Sequence, residues 1–434
     1  MSSEGVGGMS EETKEKSALV PRLRFPEFQE AGEWEQKPLT DVASLKNGYA
    51  FKSNDYVDVG PYQIITIANV QSGSLVIEST NKISALPSDI QQHQVLCLGD
   101  ILISMTGNVG RVCRVTTEGL LLNQRVGKLI PDKISQEFFY QSLQRDQFRN
   151  TMQLKAAGGA QGNLSASDIA EYGFSLPLDQ REQQKIADCL FSLDELITAE
   201  TQKLDALKTH KKGLMQQLFP REGETVPRLR FPEFQEEREW EEVMLGEIAE
   251  IKLGKMLDSK KHTTGTLLPY LNNLAVRWNE VNTSNLPKMY FDKDELDRFG
   301  LMDGDVVVCE GGEPGRSAVW DGRLPDLKFQ KAVHRVRFKV PFEPRLLVLF
   351  LESIAGTPRL ESLFTGGGIK HLTQEVFARL KIPFTTHAEQ QRISGCLASL
   401  DDLIIAQAKK IDIFKTQKQG LMQQLFPVLD EVSA

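Results

Sequence analysis

Val20–Glu30 reads VPRLRFPEFQE, and the same eleven residues return as Val226–Glu236. The match continues through Trp34/Trp240, Leu39/Leu245, Ala43/Ala249 and Gly48/Gly254. A second block closes each copy: residues 181–220 align with 388–427, 25 of 40 positions are identical, and both end in GLMQQLFP. A period of this length is a whole domain, far longer than the unit of a solenoid, so the chain is one duplication of a module. Between the framing blocks the copies diverge, but a skeleton survives. Gly99-Asp100-Ile101-Leu102 followed by Gly107-Asn108-Val109-Gly110-Arg111 parallels Gly304-Asp305-Val306-Val307 followed by Gly312-Glu313-Pro314-Gly315-Arg316. One scaffold carrying two different readers gives this pattern; neutral drift after duplication would give it too.

The closing block reads as a long helix in both copies. Positions 186, 190, 193, 197, 200, 204, 207, 211, 214 and 218 alternate in steps of four and three, the spacing of a coiled-coil seam. The first copy sets Leu190, Leu193, Ile197, Leu204, Leu207 and Leu214 on it; the second sets Leu397, Leu400, Ile404, Ile411, Phe414 and Leu421. Both copies interrupt the apolar seam at the same two places, Glu200/Gln407 and Lys211/Lys418. In an antiparallel pair such polar positions can face one another. Asp179 with Glu182 and Thr386 with Glu389 have capping-box spacing at the helix starts, and Pro220 and Pro427 end the helices because proline lacks the amide the ladder needs. Each helix spans roughly 55 Å at about 1.5 Å per residue.

The segments between read as mixed α and β, with β-rich runs at Tyr62–Val70, Val95–Met105, Val306–Cys309 and Ala332–Val340 and helical stretches at Gln136–Leu154 and Pro344–Phe364. The expected architecture is therefore α/β (mixed α+β). Two similar globular domains are joined by two long helices in an antiparallel coiled coil, with pseudo-twofold internal symmetry. The expected boundaries are a polar leader at 1–19, a first domain at 20–180, a spacer helix at 181–220, a second domain at 221–385, a second helix at 386–427 and a tail at 428–434.

The catalytic signatures are missing. There is no GxxxxGK[ST] loop, no GxGxxG between strand and helix, no GxSxG and no HExxH. No Pro-Pro dipeptide occurs, which excludes the NPPY or DPPY tetrad of amino-methyltransferases. Glu250-Ile-Lys252 resembles the tail of a nuclease motif, but the first copy has Ser44-Leu-Lys46 there. The longest apolar run, Leu346–Leu351, is far short of the ~20 residues of a membrane span. Five scattered cysteines form no CxxC, which suits a reducing cytoplasm.

Binding equipment remains. Net charge is −8, so a free-standing nucleic-acid binder is disfavoured, and contact must come from local strips or be shared with a partner. Residues 314–345 carry a local +5, with Arg316, Lys331, Arg335, Arg337 and Lys339; residues 107–128 carry a local +3, with Arg111, Arg114, Arg125 and Lys128. Arginine forks suit phosphate and guanine edges, and Asn123, Gln124 and Gln330 suit adenine. Arg335, Arg337 and Lys339 alternate along a strand and would share one face, as they would on a merely solvated strand. Glycine clusters at 158–159 and 366–368, the second beside Lys370, would let backbone amides approach phosphate, or simply form tight turns.

The RLRFPEF…W openings, the GDIL…GNVG and GDVV…GEPG cores, and the EQQ(K/R)I…CL.SLD closings with GLMQQLF together resemble the DNA-specificity subunit of type I restriction–modification enzymes. The resemblance spans about residues 20–427. It implies two target-recognition domains, each reading half of a split, asymmetric site on double-stranded DNA, with the paired helices setting the spacer. It implies no catalysis and no cofactor in this chain. Two modification subunits would bring the adenine methyltransferase and S-adenosylmethionine, and two restriction subunits the nuclease and motor with ATP and Mg, all without a membrane. A duplicated coiled-coil adaptor that binds no nucleic acid is the alternative from another class, and a self-sufficient nuclease or methyltransferase a third.

Overall fold

In a computed structural model, residues 19–158, 162–257, 264–366 and 370–427 are described. The chain divides into two compact units, Met1–Ala199 with Ile411–Ala434, and Glu200–Lys410.

In the first unit, alternating or wholly apolar runs form β1 (Glu35–Pro38), β2 (Ala43–Asn47), β3 (Tyr62–Ile65), β4 (Asn81–Ile83), β5 (Ile101–Ser104), β6 (Val112–Arg114), β7 (Leu120–Leu122), β8 (Val126–Pro131) and β9 (Gly173–Leu176). The order β2-β8-β5-β6 makes a four-stranded antiparallel sheet, β4-β3-β7 a three-stranded sheet with β3 and β7 parallel, and β1 pairs with β9. The expected helix at 136–154 is two helices, α1 (Gln136–Leu143) and α2 (Asp146–Gly158). The break sets Arg145 over the Phe426 ring at 4.9 Å, with its guanidinium donating to the Pro427 carbonyl at 2.9 Å.

The second unit repeats the plan. Its strands are β10 (Glu241–Met244), β11 (Ala249–Leu253), β12 (Thr266–Leu271), β13 (Lys288–Phe291), β14 (Val306–Cys309), β15 (Ser317–Val319), β16 (Lys328–Phe329), β17 (Val333–Phe338) and β18 (Lys381–Phe384). The sheets β11-β17-β14-β15, β13-β12-β16 and β10-β18 match those of the first unit strand for strand. The expected helix at 344–364 stops early: α4 is Pro344–Ile354, and Pro358 begins a separate short turn of helix, because a proline there cannot extend the ladder.

The long helices are α3 (Gln180–Leu218) and α5 (His387–Leu425), each of 39 residues. All twenty seam positions are buried or half-buried. In the second unit Glu200 meets Gln407 and Lys410, while Lys211 further along α3 meets Asp401, earlier on α5, so the pair runs antiparallel. The polar seam residues are thus matched. Gln407 donates its amide to Glu200 at 2.5 Å, and Lys211 reaches Asp401 at 2.7 Å and Glu352 at 3.0 Å. In the first unit Lys418 reaches Asp194 at 2.6 Å. Lys211 and Lys418 occupy the same place in the two repeats, as do Asp194 and Asp401, so the two ion pairs are copies of one another.

The capping boxes expected at the helix starts form only in half. Thr386 Oγ accepts from the Glu389 amide and Asp179 from the Arg181 amide, but the glutamates turn elsewhere. Glu182 receives a two-pronged bond from Arg24 at 2.7 Å, and Glu389 one from Arg230 at 2.8 and 2.9 Å. These are the second arginines of the repeated RLRF openings. The next residues join in: Phe25 and Glu27 both meet Lys185, and Phe231 and Glu233 both meet Arg392. The opening motif is repeated because it clamps the start of a helix in each copy.

The end of each helix lies in a core. Trp34 packs edge-on against Phe426 with ring centroids 5.8 Å apart, and Phe138 lies 5.5 Å from the same ring. In the second unit Trp240 meets Phe219 edge-on at 6.4 Å, with Phe350 at 5.8 Å. Each repeat's tryptophan therefore receives the phenylalanine that closes the other repeat. The backbone confirms the match, since Leu23 donates to the Gln424 carbonyl and Leu229 to that of Gln217.

Phe426→Ala, which removes a fully buried ring, is expected to lower stability by about 3–5 kcal/mol, read from the midpoint of chemical unfolding. The Glu200 carboxyl sits below its usual range, first because Gln407 donates to it and then because Lys410 does. A depressed folded-state pKa stabilises above the unfolded value of about 4.3, and that stability is lost as pH falls through the folded value. Glu200→Gln should therefore unfold more easily at pH 7 and show a shallower acid limb than the parent when melting is followed from pH 6 to 3.

Candidate nucleic-acid interface

The GD motifs fold into the same device in both heads. Gly99 and Gly304 take φ of +85° and +82°, and the aspartate that follows turns inward. Asp100 accepts from the Cys97 amide at 2.8 Å and from Lys128 Nζ at 2.6 Å. Asp305 accepts from the Met302 amide at 2.7 Å and from both prongs of Arg337, each at 2.7 Å. A basic residue of the central strand is thus held by a carboxylate from the neighbouring strand's entry. The next motif is also structural. Gly107 and Gly110, like Gly312 and Gly315, have positive φ. Arg111 closes its loop by donating to Gln71 at 2.6 Å, and Arg316 by donating to the Asn273 carbonyl at 2.8 Å and to Glu313 at 2.8 Å.

These contacts re-sort the basic residues picked out by sequence. Arg335 and Arg337 do share a face of β17, where Arg335 is buried and Arg337 half-buried. Arg335 is 2 % exposed, donates to the Gly300 carbonyl at 2.8 Å and lies 5.6 Å from the Phe329 ring centroid. Burial, and then the charge of Arg337, pushes its pKa down, whereas hydrogen bonding to Asp305 raises that of Arg337. Lys128 is buried on Asp100. Arg114 is bound to Glu137 at 2.5 Å and covers the Tyr140 ring at 4.0 Å. Local positive charge counted along the sequence could not distinguish such internal cations from exposed ones.

Gln124, Arg125, Lys339 and Lys370 are exposed, and Asn123, Gln330 and Lys331 are half-buried. Lys370 has Glu361 at 3.6 Å. Lys339 follows β17, with its amide on the Ile248 carbonyl. Of the glycine clusters, Gly158 closes α2 and Gly366 takes φ +105°; Gly159, Gly367 and Gly368 lie outside the described residues.

The structure brings Asn123-Gln124-Arg125 and Gln330-Lys331-Ala332 to corresponding turns. Each turn crosses a glycine that both copies retain. A Cβ on Gly48 would fall 2.2 Å from the Asn123 carbonyl oxygen, and one on Gly254 2.4 Å from that of Gln330. Sequence reasoning missed the residues beside these glycines. Tyr49 donates to Asp89 at 2.8 Å, and Lys255, buried, pairs with Glu295. The retained glycines were the available signal, since their match ends one residue before the clamp. Among the described residues no cluster of His, Cys, Asp or Glu is placed to hold a metal, and no helix is long and apolar enough to cross a membrane.

A duplicated scaffold that holds two different polar turns on one backbone frame defines a two-headed recognition protein. A profile described as the type I restriction modification DNA specificity domain matches residues 31–209 and again residues 237–413, and the chain belongs to that family. Its DNA-recognition role follows: it is a specificity subunit of a type I restriction–modification system. A protein of Methanocaldococcus jannaschii named for the specificity subunit of the MjaX type I restriction enzyme is 26% identical over 416 residues, covering 91% of this chain and 92% of its own length. The MjaVIII type I specificity subunit of the same organism is 26% identical over 263 residues, 58% of this chain and 60% of its own. The fold is that of the M. genitalium type I S subunit, at TM-score 0.55 and 15% identity over 95% of this chain and all of that one. A chain from a structure of type I R-M complex assembly and conformational transition matches at TM-score 0.56 and 18% identity, over 91% and 97% of the two chains.

Arg335→Ala should lower stability by roughly 1–3 kcal/mol, because the Gly300 carbonyl and the neighbouring ring lose a buried partner. Lys339→Ala should leave the melting temperature unchanged and flatten the dependence of log affinity on log salt by about one. Thermal unfolding and DNA titration at several salt concentrations, the latter with the assembled complex, check the pair.

Proposed function

We propose that each head reads one half of a split, asymmetric DNA sequence, and that α3 and α5 set the distance between the halves. The observation that carries this reading is the contrast within the repeat: matching strands, glycines and helix clamps frame turns whose side chains differ. Identical readers would call for a symmetric sequence, and unlike readers call for an asymmetric one. Exposed cations such as Lys339 would add salt-dependent phosphate affinity, and base-edge contacts would carry specificity. No observation favours the adaptor reading.

The catalytic parts then belong to partners. Two modification subunits would hold S-adenosylmethionine and methylate adenine, docking on the helices, and two restriction subunits would use ATP and Mg to translocate and cut. This chain would work in the cytoplasm with no cofactor of its own. A net charge of −8 fits a subunit whose grip on DNA is shared.

Spacing gives the direct test. One heptad inserted between Ala199 and Glu200, and another between Lys410 and Ile411, falls at the boundaries of both units and keeps each ion pair intact. The helices would lengthen by about 10 Å with the seam in phase. Mapping methylated adenines in cells carrying the full system should show unchanged half-sites separated by about 3 more base pairs, at 3.4 Å each. An unchanged gap in an active complex would refute the spacing role.

A further inference from the structure

We propose that the second and third residues of one turn, Gln124-Arg125 in the first head and Lys331-Ala332 in the second, determine which bases each head accepts. The first residue, Asn123 or Gln330, only builds the turn. This rests on the reading that the heads recognise DNA, and it names the side chains that do so.

The two turns share a backbone held by main-chain bonds from several sides. Tyr49 donates to the Leu122 carbonyl at 2.8 Å, and Lys255 to that of Phe329 at 3.1 Å. Gln124 donates to Tyr49 and Lys331 to Lys255, both at 2.9 Å. Met105 donates to Arg125 at 3.1 Å and Glu310 to Ala332 at 2.9 Å. Val126 and Val333 close the turns onto the Asn123 and Gln330 carbonyls, each at 2.9 Å. Leu164 and Leu372, which follow the glycine clusters, bind Met105 and Glu310 at 2.8 Å.

On this common backbone the positions behave differently. At the first position both heads keep an amide whose oxygen folds back on the turn: Asn123 Oδ1 accepts from the Arg125 amide at 3.3 Å, and Gln330 Oε1 from the Ala332 amide at 3.4 Å. Next to the retained glycine, an exposed Tyr49–Asp89 bond in the first head stands where the second has a buried Lys255–Glu295 pair. In both heads that side chain is tied to a carboxylate, although the chemistry and the burial differ. At the second and third positions the side chains make no hydrogen bond or ion pair among the described residues; the first head exposes both residues, and the second leaves both half-buried. An amide beside an arginine suits an adenine next to a guanine, whereas lysine beside a methyl group suits a guanine next to the methyl of thymine. The same frame thus presents two different recognition codes.

The test exchanges only these side chains in the complete complex: Gln124→Lys with Arg125→Ala in one variant, and Lys331→Gln with Ala332→Arg in the other. Methylated adenines are mapped in cells, and the purified complex is assayed against a DNA library randomised across the site, with unfolding temperature as the control for folding. Each variant should change or relax one or two positions of a single half-site, by roughly ten- to a hundredfold in base preference. The other half and the gap should stay as they were. An unchanged methylation pattern in both variants overturns the proposal. So does affinity that weakens equally for every sequence, which is the mark of phosphate contact. Loss of the bipartite site itself in the unaltered complex would instead refute the reading on which the proposal rests.

Discussion

The fold turns on an aromatic contact made twice, Trp34 with Phe426 and Trp240 with Phe219. A head of this kind leaves a tryptophan and a phenylalanine of its own facing an opening, and the ring that fills it comes from the last turn of the helix belonging to the other repeat. Burying a ring of this size is worth several kilocalories per mole. Neither repeat therefore completes its core from its own sequence. The GLMQQLFP ends are identical in the two copies for this reason, as are the opening residues whose main chain binds them.

Charge decides how the helices lie against each other. An apolar seam alone would tolerate a slip by one turn, because one leucine packs much like the next. Lys211 and Lys418 remove that freedom, since a lysine buried against leucine would be an uncompensated charge. The observed register sets Asp401 against Lys211 and Asp194 against Lys418, so each lysine has a carboxylate on the facing helix. Arg24 on Glu182 and Arg230 on Glu389 fix the other ends of the helices by the same logic. Register here is an electrostatic property, and the apolar residues supply the attraction.

Much of this was legible in the sequence because repetition acts as a built-in comparison. The seam, its polar interruptions, the helix ends and the duplicated heads all follow from residues present twice. The interface was less legible, and the cause is specific. Arg335, Arg337 and Lys128 look like a phosphate strip along the chain, but their partners, Gly300, Asp305 and Asp100, lie roughly 28 to 35 residues away and become neighbours only through strand pairing. The capping boxes misled for the same reason: Glu182 and Glu389 have the right local spacing, yet arginines about 160 residues distant take their carboxylates. Local pattern reports local contacts well and cannot see competition from afar.

The turns at 123–125 and 330–332 owe their shape to main-chain hydrogen bonds, to the space left by Gly48 and Gly254 and to the folded-back amides of Asn123 and Gln330, not to the side chains at their second and third positions. Form and content are thereby uncoupled at this point of the chain. Under the reading proposed above, a new base preference at the second and third positions needs no compensating change in the core, because the bonds that shape the turn come from the main chain and from the first residue. Either head can then change what it displays while the frame that both heads share stays as it is.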